Sequence, residues 1–189
     1  IAATISGNLQ NDGTFTSTTG VITFSGTSKT ISGASGLSIP NTTVTGTYTN
    51  TGTLTVATAL SGTGGLTQGS GAVLNIGGTS TITTLTATVN PNTVNYTSTT
   101  AAQTVIGTTY HHLIINKSGQ TATLGAATTV NGDLTITAGT LNLSTFTADR
   151  ATSGGTLTVS SGSTLSIGGT NTIPANYATH SIGATSTIN

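Results

Sequence analysis

The chain has 189 residues, of which three are Asp, none Glu and three Lys or Arg, so 3% of it is charged where an ordinary soluble domain has roughly 25%. The formal net charge of zero excludes the basic footprint that nucleic acid or an anionic membrane surface requires, and removes the repulsion that keeps protein surfaces apart. Without Cys there is no disulfide framework and no thiolate metal site, and no apolar run approaches the length of a membrane span. Thr and Ser dominate the composition, followed by Gly, and Asn is frequent. The apolar third is mostly Leu, Ile, Val and Ala, spaced rather than clustered, which is the vocabulary of strands and turns. A mean hydropathy of +0.17 with zero net charge also departs from disordered composition, which combines low hydrophobicity with high charge.

In chain order, apolar pairs at i and i+2 mark short strands with one inward face. Ile22/Phe24 and Leu37/Ile39 come first, more closely spaced than the pairs that follow, so the early coils read as shorter or differently wound. From Leu54/Val56 the pairs become regular: Leu74/Ile76, Val94/Tyr96, Leu113/Ile115 and Leu134/Ile136 follow at steps of 20, 20, 19 and 21. A second series, Leu66, Leu85, Val105, Leu124 and Leu143, runs in step at 19, 20, 19 and 19. Two series locked at one period predict a coil. Each stretch of about 20 residues makes one rung, and stacking the rungs completes the backbone hydrogen bonds and dries a shared column of Leu, Ile and Val. The sequence therefore predicts an all-β parallel β-helix, or β-solenoid, of about 20 residues per coil and roughly nine coils over 1–189, in a single segment. No stretch shows helical spacing. A β-sandwich has no need of apolar positions recurring at one fixed interval through five successive turns.

The expectation for both series is one inward column each. A longer period of about 91 residues overlies the short one: LTQGSGAVLNIGGTSTI (66–82) returns as LTVSSGSTLSIGGTNTI (157–173), with 11 of 17 positions identical. The two periods disagree after Leu143, so an irregular coil is expected near 144–156, where Asp149 and Arg150 are the only adjacent opposite charges. At the end of the chain Thr187-Ile188-Asn189 matches Thr93-Val94-Asn95, and neither end carries a cap of charged or helical residues. Uncapped rungs are a template for further strand pairing, and continuation into further solenoid, or end-to-end self-association into a filament, is the expectation.

The phrases GNLQNDGTFTSTTGVITFSG (7–26), TVNYTSTTAAQTVIGTTYHHLIINKSG (93–119), TTVNGDLTITAGTLNL (128–143) and IPANYATHSIGATSTIN (173–189) resemble the degenerate repeats of giant bacterial surface proteins. They are similar in style to the β-solenoids of filamentous haemagglutinins and autotransporter passengers. That resemblance implies secretion, an extracellular or cell-surface location, and a structural or adhesive role toward glycans or cell surfaces. It brings no catalytic residue with it.

No catalytic, cofactor-binding or metal-binding residue is assigned. Carbohydrate-cleaving β-helices need paired or clustered carboxylates, whereas Asp12, Asp133 and Asp149 are scattered; the first reads as a turn residue, the second as an outward strand position. His111 and His112 are neighbours on a presumed strand, where alternation points them to opposite faces, so they are not expected to share an ion. The calcium-binding nonapeptide pattern is absent. The sequons at Asn41, Asn95, Asn116 and Asn142 are no more than chance gives in a chain so rich in Asn, Ser and Thr. An ice- or carbohydrate-binding module is the alternative function, since Thr-x-Thr is frequent. Flanking the two series, however, only Thr53/Thr55 and Thr84/Thr86 are Thr pairs, and no binding face emerges from the sequence.

Overall fold

The computed structural model describes residues 2–189 and is all-β, a parallel β-solenoid of about 9 turns with rungs about 20 residues apart. It divides into two compact units, Ile1–Thr93 and Val94–Asn189.

In the N-terminal unit the strands Ala3–Ile5, Val21–Phe24, Leu37–Val44, Thr53–Ser61 and Val73–Ile76 pair in succession, all parallel. A second ladder joins Leu9–Gln10, Lys29–Ser32, Thr47–Asn50, Gly65–Gln68 and Thr84–Thr86. Leu37, Leu54 and Leu74 stack in register and are 2%, 0% and 0% exposed. This is the inward column expected for Leu54 and Leu74. Ile22/Phe24 do not precede Leu37 in it: they stack on Thr42 and Val44, one coil on, in the second half of the next strand. The coil is therefore of ordinary length there. The next coil is shorter: Leu37 stacks on Leu54 at an offset of 17, which becomes 18 beyond the register shift between Ile39 and Asn41, at Pro40. Proline has no N–H for the ladder and is tolerated at such irregularities.

In the C-terminal unit His112–Leu124, Leu134–Asn142, Gly154–Val159 and Tyr177–Ile182 pair in parallel, with Leu113, Leu134 and Leu157 in one column. A three-stranded ladder of Thr109–Tyr110, Thr128–Val130 and Ala148–Asp149 forms another face. The step from Leu134 to Leu157 is 23 residues, where that from Thr129 to Asp149 is 20, so the extra residues fall between Asp149 and Leu157. Two buried tyrosines are partnered within the rungs. Tyr96 and Tyr110 hydroxyls lie 3.2 Å apart, the first accepting Ile106 N–H at 2.9 Å and the second donating to Ile106 O at 2.7 Å.

The second series is not one column. Leu66 and Leu85 stack beneath Tyr48 on the five-stranded ladder of their unit, whereas Val105 stacks on Leu124 at the far end of the long strand His112–Leu124. The reason is local. In the N-terminal unit the strand Thr53–Ser61 turns its corner without a loop, so by Leu66 the chain has reached its third face. In the C-terminal unit the strand His112–Leu124 bulges at 117–120, with a register shift between Asn116 and Thr121, and at Leu124 the chain is still on the second.

The longer repeat is likewise local. Leu66 and Leu157 occupy different ladders, yet both copies make the same strand–turn–strand. Ala72 N–H bonds Gly69 O at 3.2 Å and Ser163 N–H bonds Ser160 O at 2.9 Å, with Gly71 and Gly162 at φ 73° and 78°. Left-handed backbone of this kind favours glycine.

Candidate functional sites on the solenoid surface

Outward residues of the ladders form columns of hydroxyls. In the N-terminal unit Thr30, Thr49, Thr67 and Thr86 follow one another in register, and Thr47 and Thr84 flank two of them in an adjacent column, with Gly65 between. In the C-terminal unit Thr121, Thr140, Thr164 and Thr187 form a second such column. The N-terminal column escaped the sequence reading because Thr-x-Thr pairs were sought: Thr86 stands in such a pair with Thr84, but Thr67 has Gly65 at that spacing. In the C-terminal unit the column runs beside Ala122, Leu141 and Leu165, each 0% exposed, and an alanine carries no periodic signal.

The charged residues collect at one corner of the C-terminal unit. His111 lies between the strands Thr109–Tyr110 and His112–Leu124, so strand alternation does not apply to it. The two imidazoles are brought together instead of apart, with ring centroids 4.2 Å apart and planes at 84°. That corrects the expectation of opposed faces. His112 Nδ1 accepts Asp133 N–H at 2.9 Å and lies 3.4 Å from Asp133 Oδ2. Burial first, and then the neighbouring His112, lowers the His111 imidazole below its usual value against the pull of Asp133.

Asp133 stands just before its strand; its Oδ1 accepts Thr156 N–H at 2.8 Å. Asp149 Oδ1 accepts Ala175 N–H at 2.7 Å. The Arg150 guanidinium donates to Gly132 O and, through Nε, to Thr152 O at 3.1 Å, and lies 5.9 Å from the Tyr177 ring centroid. Apart from the His112–Asp133 contact these partners are backbone or an aromatic face, so the cluster ties the irregular 144–156 stretch to the rungs beside it. Asp12 sits in a bend and bonds across to the next rung. Its Oδ1 accepts Ala34 N–H at 2.8 Å, and this bond, with the Gln10 amide second, lowers its carboxyl below the usual value. Among the described residues no group of three or more His, Cys, Asp or Glu is arranged to hold a metal ion, and no helix is long and apolar enough to cross a membrane.

A polar groove of about 410 Å³ crosses three rungs of the C-terminal unit, lined by residues 118–121, 137–140 and 161–164. Its turns are built on Gly119, Gly139 and Gly162, at φ 71°, 79° and 78°. At Gly139 a Cβ would collide with the carbonyl oxygens of Lys117 and Gln120. No sequence signal marks this groove, because its walls come from three separate turns that only the stacking of rungs brings together.

The fold defines a class, the parallel β-solenoids. Beyond that class, no family model, curated protein or solved structure matches the chain.

Proposed function

We propose that this chain is a structural and adhesive β-solenoid of an extracellular bacterial surface protein or filament, without catalytic activity of its own. The observation that carries the reading is the stack of rungs itself. Parallel strands pair in register from coil to coil, with Leu37, Leu54 and Leu74 in one unit and Leu113, Leu134 and Leu157 in the other as buried inward columns. Such a stack is a scaffold whose rungs stabilise their neighbours, and a chain with zero net charge offers no repulsion against association with further copies. Secretion and surface display rest on the resemblance of the repeats to those of giant surface proteins.

Negative-stain microscopy combined with sedimentation at rising concentration tests this reading. Long thin fibres are expected. Monodisperse single particles at high concentration would overturn it in favour of a self-contained binding module. A second reading, ice binding, is favoured by the aligned Thr30, Thr49, Thr67 and Thr86 column; it requires thermal hysteresis that disappears in Thr49→Val/Thr67→Val.

A further inference from the structure

We propose that the groove across residues 118–121, 137–140 and 161–164 is a binding site for a neutral oligosaccharide, which gives the adhesive part of the proposed function a ligand class and rests on that reading. The first ground is the chemistry of the lining. None of its residues is charged, and its one apolar side chain is Ala138, so it offers no counter-charge to a phosphate, a carboxylate or a cation and no pocket for an apolar peptide side chain. What it offers is hydroxyls and the Gln120 amide, which both donate and accept, as sugar hydroxyls do.

The second ground is repetition. Thr121, Thr140 and Thr164 are stacked in register, so equivalent hydroxyls recur along the axis at the strand spacing of about 4.8 Å. A chain of identical sugar units can meet each rung with the same group.

The third ground is independent of both. Ser163 lines the groove, is 1% exposed, and its Oγ has no hydrogen-bond partner. A buried hydroxyl left unpaired is destabilising, and the turn has no need of it. In the other copy of the longer repeat the equivalent position is Ala72, 0% exposed, in a turn closed by the same backbone hydrogen bond. The hydroxyl at 163 is thus an addition to a turn that forms without it, in a residue of the groove's own lining.

The test is a titration of the ¹⁵N-labelled chain with cellotetraose, maltotetraose and mannotetraose, and with an oligogalacturonate as the acidic counterpart. Saturable shifts are expected with at least one neutral probe, confined to amides of the three groove segments. Thr140→Val, which keeps the branched shape and removes the hydroxyl, should weaken binding about three- to tenfold, the worth of one hydrogen bond. Ser163→Ala should weaken it while leaving the remaining amide spectrum unchanged, and Thr49→Val, in the N-terminal unit, should have no effect. Absence of saturable shifts with all three neutral probes would overturn the proposal. So would preference for the acidic probe, shifts centred outside the groove, or unchanged affinity in both groove variants. The readout does not depend on fibre formation: a chain that stays monomeric yet binds keeps the groove and loses the filament, and a chain that forms fibres without binding does the reverse.

Discussion

Lys117 carries its ammonium into the interior: the residue is 0% exposed, and Nζ donates to Ser98 O at 3.0 Å, Ala101 O at 2.8 Å and Gln103 Oε1 at 2.8 Å. It thereby holds the 98–103 loop against the strand His112–Leu124. Lys117→Met leaves buried acceptors bare and should destabilise the chain by about 1–3 kcal/mol, with faster amide exchange in 98–103 as the local readout. Burial also pushes the ammonium down to about 8, below the value near 10.4 of an unfolded lysine. Between those values the unfolded chain holds more protons than the folded one, so unfolding free energy rises with pH; below about 8 both states are protonated and the full penalty remains. Unfolded tyrosines ionise near 10 while burial pushes Tyr96 up to about 12, which reverses the slope at higher pH. Denaturant midpoints should therefore climb from about pH 8 to about pH 9.5 in the natural chain and stay flat in Lys117→Met. Ser163→Ala should act oppositely on stability, raising it by about 1 kcal/mol because an unpaired hydroxyl is removed; a loss in thermal melting would show that the hydroxyl is paired after all.

At the scale of the rung, stability comes from nearest-neighbour stacking. Leu113 is 0% exposed and stacks on Leu134. Leu113→Ala should cost about 2–5 kcal/mol, and the damage should be local before it is global. Hydrogen exchange is the check: amides of 112–116 and 134–137 should lose protection first, and unchanged protection there would place Leu113 outside the core. Leu113 and its column were legible in the sequence because an inward leucine once per rung leaves a regular alternation. The face on which Leu66 or Val105 lies was not, because it depends on whether a corner is turned with a bulge, as at 117–120, or without one, as at 57–59. The His111–His112 pairing was missed for a related reason: a break between two strands suspends the alternation on which the reading relied.

For the molecule as a whole, zero net charge makes association the property to measure. Ile182→Lys/Ile188→Lys, at positions 45% and 40% exposed, adds charge to strand residues, a device that blunts strand edges. Fibre formation seen with the natural chain should fall sharply, with the melting temperature little changed since both side chains are already exposed. Fibres that persist undiminished would locate the contact elsewhere.

The sequence by itself determined the all-β class, the length of the rung, and the inward column through Leu54 and Leu74 and through Leu113 and Leu134. All of these follow from periodic burial, which is written residue by residue. Only the tertiary structure decided which face each later strand joins, that the two copies of the longer repeat share a turn but not a ladder, and which hydroxyls line one groove. Those features depend on residues a full coil apart being brought side by side by the register of the rungs, and that register is set by loops and bulges whose length is visible in the sequence but whose position along the coil is not.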